Sequence, residues 1–228
     1  MHSSFFAIQL GIIVLVLLLV PLTFLVSRYA DQKRLQSYQA FCASSGYQLV
    51  PQRNGAEREY VQIVPFFDRG YARRWRWEIS GQYNGVAFTA FQFDYTVSTG
   101  RSSVTYQHAM IRWSVDRALP AFTLAPENFF TRIGEALGWH DINFDDDQVF
   151  SHEYQLKGAD PAAITAYFSP SMRQQFDVLP GQHAAGAGSV LFWWRDGALP
   201  APEAFPQFLA AGDQVRAILT GHAGLEPE

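Results

Sequence analysis

The first run of the chain, Phe5 to Val26, holds no charged residue. Its 22 residues, at a rise of about 1.5 Å each, reach about 33 Å, enough to cross a hydrocarbon layer of about 30 Å. This run predicts a transmembrane helix. A cleaved signal peptide is the rival reading, but no Lys or Arg precedes the run and no small-residue cleavage site follows it. Past the run, apolar residues recur at spacings of three and four through Leu35, Tyr38, Phe41 and Cys42. That spacing predicts a helix ended by Gly46. From Arg74 the period changes to two: Arg74, Arg76 and Glu78 alternate with Trp75, Trp77 and Ile79, as a half-buried strand requires.

Asn84-Gly85 then reads as a type I′ hairpin turn, returning into "VAFTAFQFDYTV". A plain two-residue loop pairs positions that sum to 169, which sets Trp77 against Gln92 and mixes the faces. One extra residue on the first strand lowers the sum to 168. Trp77 then meets Phe91, Trp75 meets Phe93, Arg76 meets Gln92 and Arg74 meets Asp94. A β-bulge is therefore expected near Ser80-Gly81, with both tryptophans in the core and the arginines on a solvated face. "VTYQHAMIRWSV" predicts a third strand, and Pro126 with Glu127 predicts the start of a helix carrying Phe129, Ile133 and Leu137. "HEYQL" reads as a strand. Asp160-Pro161 and Ser169-Pro170 each read as an N-cap followed by Pro at the first helical position. "SVLFWWR" is a late strand, and a last helix runs from about Pro206 to Thr220. The expected class is α+β: an N-terminal transmembrane helix followed by one domain with an antiparallel β-meander and packed helices. The corresponding divisions are a membrane anchor over 1–28, a juxtamembrane helix over 29–46 and a soluble domain over 47–228.

Charge adds a location and excludes a partner. A net charge of −4 argues against nucleic acid. Arg28, Lys33 and Arg34 follow the apolar run, so the positive-inside bias puts the domain on the cytoplasmic side of a bacterial inner membrane; a periplasmic domain is the alternative. Residues 1–117 carry 12 Lys/Arg against 7 Asp/Glu, while residues 118–228 carry 5 against 14. A basic half facing anionic headgroups gains about 1 kcal/mol per basic residue near the surface, which makes Arg73, Arg74 and Arg76 candidates for a lipid-surface contact. Ordinary scatter compensated in the fold is the competing account. The single cysteine, Cys42, excludes an internal disulfide and reads as a small apolar residue on the inner helix face.

Chemistry is sparse. No phosphate-binding loop, dinucleotide fingerprint or hydrolase motif is present. The acidic loop "DINFDDDQVFSHE" is the best candidate. Asp141, Asn143 and Asp145 match the first ligand positions of an EF-hand. The sixth position, normally Gly, is Asp146, and the twelfth, normally Glu, is His152. A looser metal site on Asp141, Asn143 and Asp145 remains a candidate beside a solvated acidic loop.

"FDYTVSTG", "LPAFTLAPENFFTRIG", "DINFDDDQVFSHEYQLKG" and "FLAAGDQV" together resemble a family of uncharacterised bacterial single-span membrane proteins, over roughly residues 75–220. The resemblance implies a bacterial origin and a membrane anchor. It implies no cofactor and carries over no catalytic residue. The leading expectation is a membrane-anchored, non-enzymatic interaction or accessory module, with membrane lipid and a protein as partners. The alternatives are a membrane-tethered, metal-assisted enzyme working at the acidic loop, and a periplasm-facing sensor or assembly factor.

Overall fold

The computed structural model describes residues 25–26, 28–64, 66–98, 100–127, 129 and 139–221. A helix, α1, runs over 28–45 and ends at Gly46, whose φ of 72° is the left-handed closure expected there. The strands follow as β1 (Gln48–Gln52), β2 (Tyr71–Tyr83), β3 (Val86–Ser98) and β4 (Ser103–Pro126). Then come β5 (His140–Ile142), helix α2 (Gln148–Glu153), β6 (Tyr154–Gly158) and the helices α3 (Pro161–Tyr167) and α4 (Pro170–Asp177). Strand β7 (His183–Asp196) and helix α5 (Phe205–Thr220) complete the order.

The class is α+β with an antiparallel sheet, but the expected architecture is corrected at its start. Nearly all of the apolar run, like Ile133 and Leu137, lies outside the described residues. Among the described residues no helix is long and apolar enough to cross a membrane, so the N-terminal transmembrane helix is withdrawn from the fold. Helix α1 packs onto the domain. Tyr38 and Cys42 belong to the domain core, and the Tyr38 hydroxyl donates to the carbonyls of Leu199 (3.2 Å) and Pro200 (3.0 Å).

The sheet has seven strands in the order β1-β2-β3-β4-β6-β5, with β7 also on β4. Strand β4 holds this together. Its first half pairs with β3, from Ser103↔Ser98 to Trp113↔Phe88. Its last residues pair with β6, from Phe122↔Gly158 to Pro126↔Tyr154. Strand β7 runs along the other edge, from His108↔Asp196 to Leu124↔Ala184, with register shifts between Ser114 and Phe122. The third strand expected from the sequence ends at Val115, and a helix is expected from Pro126. The strand instead continues past Val115 through a register-shifted stretch and ends on that proline, whose missing N–H cannot extend the ladder.

Both faces of the sheet are buried, so the two-sided alternation of a half-buried strand does not apply. In β3 every residue from Phe88 to Tyr95 is buried. One face packs on α1, α3, α4 and α5 through Ile79, Phe88, Ile111, Trp113 and Trp193. The other is covered by the segment between β1 and β2, where Tyr60, Val64, Phe66 and Phe67 meet Trp75, Phe91, Phe93 and Trp194.

The hairpin turn is as expected: Tyr83 pairs with Val86, and Asn84 and Gly85 take φ values of 48° and 76°, the left-handed pair that a type I′ turn needs. The 168 register also forms, with Arg74↔Asp94, Trp75↔Phe93 and Arg76↔Gln92. The bulge, however, falls between Arg76 and Ile79, on Trp77 itself (φ 57°). Gly81 keeps its ladder place opposite Phe88. It is glycine because Tyr47 crosses it; a Cβ there would lie 2.4 Å from Tyr47 Cδ1. The displaced bulge turns Trp77 to the opposite face from Trp75. Trp75 stacks on Phe91 at 3.5 Å, whereas Trp77 packs beside Tyr38 under α1 at 5.8 Å.

The helix signals are sound where Pro follows a polar cap. Asp160 accepts from the Ala163 N–H and Ser169 from the Met172 N–H. Helix α5 lies close on the sheet because Gly212 leaves room: a Cβ there would sit 2.6 Å from Ile111 Cδ1 and 2.9 Å from Trp193 Cε3.

Candidate functional site

The bulge decides where the arginines of β2 go. Arg73 donates from Nη1 to Asp68 (2.9 Å) and to the Phe67 carbonyl (3.2 Å). Arg74 is exposed. Arg76 is not on a solvated face. It sits beneath α1, 2.7 Å from the buried Asp94 and 3.7 Å from Asp31, with its guanidinium 5.7 Å from the Trp77 ring centre. The buried Gln92 completes the cluster by donating to Asp94 (2.8 Å) and accepting from the Leu199 N–H (3.1 Å). The three arginines thus do not share one surface. Arg76 pins α1 to the sheet, a burial that only works because its charge is paired.

The acidic segment is not a loop between a helix and a strand. Asp141 lies in β5 and faces Lys157 of β6, with Oδ1 3.3 Å from Nζ; Gln155 donates to the same oxygen at 3.1 Å. Asp146 and Asp147 both take Arg173 of α4, at 2.7 and 2.9 Å. Arg173 is buried, lies 4.1 Å over the Phe144 ring and donates to the Phe168 carbonyl. Asp147 also caps α2 by accepting from the Phe150 N–H at 3.1 Å. Asn143 and Asp145 line a shallow open depression with His152 and Glu153. The three expected ligands therefore do not converge: Asp141 is held by Lys157, and Asp145 lies at the depression. Among the described residues no group of three or more His, Cys, Asp or Glu side chains is placed to hold a metal ion.

Burial raises the pKa of the Cys42 thiol above its usual value, which keeps it protonated and unreactive. His108 is buried, stacked 4.4 Å from Phe66, with Nδ1 3.1 Å from the Asp196 carboxylate. No sequence pattern marked this pair, which forms only because β4 and β7 set positions 108 and 196 side by side.

A more enclosed polar concavity lies elsewhere. The hairpin tip, the bend of β4 and the last turns of α5 surround a cleft of about 470 Å³. Asn84, Asp116, Arg117, Asp213, Arg216 and Thr220 line it. Asp213 accepts from Asn84 Nδ2 (2.9 Å) on one oxygen and from Arg216 Nε (2.6 Å) on the other. Arg216 is buried, with its guanidinium 5.7 Å from the Trp113 ring, and Arg117 lies 4.7 Å over Tyr167. The sequence reading of the last helix followed its apolar stripe and passed over Asp213 and Arg216. Their i, i+3 spacing beside that stripe was the available signal.

No family model matches the chain, and no curated protein matches it. Among solved structures, the crystal structure of the mycobacterial trehalose monomycolate transport factor A, TtfA, is similar. It aligns with a TM-score of 0.56 over 81% of this chain and 93% of that one, at 9% identity. At that identity the likeness concerns the fold alone.

Proposed function

We propose that the protein is a non-enzymatic interaction or accessory module. One observation carries this reading: Asp141, Asp146 and Asp147 of the acidic segment are engaged by the protein's own cations. Asp141 meets Lys157, Asp146 and Asp147 meet Arg173, and Asp94 meets Arg76. Groups tied up in this way build a rigid surface rather than a nucleophile with its base. An accessory role is also in keeping with the name of the solved structure that shares the fold, a transport factor. The resemblance to bacterial membrane proteins, and with it a place at the bacterial inner membrane with lipid and protein partners, belongs to this reading. The lipid-facing role expected of β2 falls to Arg73 and Arg74, the exposed members of its three arginines.

The test is affinity purification of the tagged full chain from cross-linked bacterial membranes, with mass spectrometry against an untagged control. A stoichiometric partner is expected. Recovery of no protein above the control from membranes that contain the chain refutes the module. Recovery of the chain from the soluble fraction alone refutes the location.

A further inference from the structure

We infer that the cleft between the hairpin tip and α5 binds the phosphate group of a phosphorylated polyol, carried either by a free sugar or glycerol phosphate or by a phospholipid headgroup. This goes beyond the accessory role and does not depend on it. The argument starts at Arg216. Its side chain is 10% exposed, and Asp213 engages only its Nε. Its terminal nitrogens have no hydrogen-bond partner among the described residues, so they are the donors it presents to the cleft. Asp213 is in turn fixed by Asn84 of the hairpin tip. The guanidinium is therefore oriented before any ligand arrives, which removes much of the ordering cost of binding. A largely desolvated guanidinium with free terminal donors offers an anion directed, charge-assisted hydrogen bonds.

The second cation comes from another direction. Arg117 projects from the bend of β4 and is held over Tyr167. A tetrahedral phosphate presents oxygens to both guanidinium groups at once, and the planar fork of arginine suits it. The C-terminal end of α5 would ordinarily repel an anion. Here its last carbonyls are already hydrogen-bonded. Thr220 Oγ1 donates to Arg216 O, the Gly221 N–H to Ala217 O and Ile218 O, and the Tyr167 hydroxyl to Leu219 O.

The rest of the lining selects the remainder of the ligand. Asp116 and Asp213 offset the two arginines, so a bare phosphate gains little from net charge. Asp116, Asn84 and Ser114 supply acceptors and donors suited to hydroxyl groups. The volume of about 470 Å³ exceeds what one phosphate fills and falls within the usual range of small-molecule sites.

The test is calorimetric titration of the purified full chain at low salt with glycerol 3-phosphate, glucose 6-phosphate, inorganic phosphate and glucose. A phosphorylated polyol should bind about tenfold or more tightly than inorganic phosphate or glucose, and Arg117→Ala should weaken it by a similar factor. Arg216→Lys keeps the charge, loses the fork and should weaken binding comparably. Arg117→Ala, with an unchanged melting curve, decides the matter if Arg216→Lys fails to fold. Competition by phosphatidylglycerol vesicles, but not by phosphatidylcholine vesicles, assigns the headgroup source; no competition by either assigns the free one. Absence of binding by both phosphorylated polyols, or binding unchanged in Arg117→Ala, overturns the site. Equal affinity for inorganic phosphate overturns the polyol.

Discussion

Substituting Trp77 tests the bulge through a reversal of sign. Trp77 and Trp75 are both buried, so truncating either to alanine should cost about 3–5 kcal/mol in lost burial and cavity. Their backbones differ. Trp77 holds φ at 57°, while Trp75 is not among the positive-φ residues. In ordinary strand geometry glycine is worse than alanine by about 0.5–1 kcal/mol, because it loses more freedom on folding. In the left-handed region a Cβ costs about 1–2 kcal/mol, and glycine escapes that cost. The two effects oppose each other at position 77 and leave glycine ahead by about 0.5–1 kcal/mol. Trp77→Gly should therefore be less destabilising than Trp77→Ala, whereas Trp75→Gly should be more destabilising than Trp75→Ala. Urea unfolding of the four full-length variants, followed by far-ultraviolet circular dichroism, measures the differences. If glycine is the worse substitution at both positions, Trp77 is not in the left-handed conformation, and the exchange of faces that rests on it fails.

Arg76→Ala leaves Asp94 buried without its cation and should cost about 3 kcal/mol. Exposed Arg74→Ala should stay within about 0.5 kcal/mol; the same denaturation series checks both. Gly212→Ala places a methyl group against Ile111 and Trp193 and should cost about 1–3 kcal/mol by overpacking, read as a lowered melting temperature. Burial pushes the Tyr154 hydroxyl from 10.0 up to about 12. The folded value is the higher one, so this contribution is intact below pH 10.0 and is lost as the pH rises through about 12. Tyr154→Phe should flatten the alkaline fall in stability over that window, and an unchanged slope counts against the burial.

Features encoded locally were legible in the sequence. Asn84-Gly85 specifies its turn by two left-handed φ values, and Asp160-Pro161 and Ser169-Pro170 each bring a cap and a pre-set φ. The 168 register was legible too, because a one-residue slip exchanges every side chain between faces. The position of the extra residue was not. Glycine is the usual mark of a bulge, but Gly81 answers to Tyr47 from another element, and the bulge sits on a tryptophan that no local preference would choose. Helix α2 was hidden for a related reason. Its six residues, QVFSHE, are too few for a helical period, and it is held by Asp147 and by Phe150 in the core. The cleft was the least legible feature, since Asn84, Arg117 and Arg216 come from three separate elements.

The continuity of β4 bears on how the chain reaches this structure. Its partners are β3 just before it, β6 about thirty residues after it, and β7, whose Asp196 pairs with His108, 88 residues earlier in the chain. Closing so long a loop costs conformational entropy before any ladder bond offsets it. Contact order is accordingly high, and folding should be slow for a domain of this size. A chain emerging from the ribosome as far as residue 126 exposes an unpaired β4 edge, rich in Ile111, Trp113 and Phe122, until β7 is made. That interval, rather than the finished fold, is where the protein is most prone to aggregate.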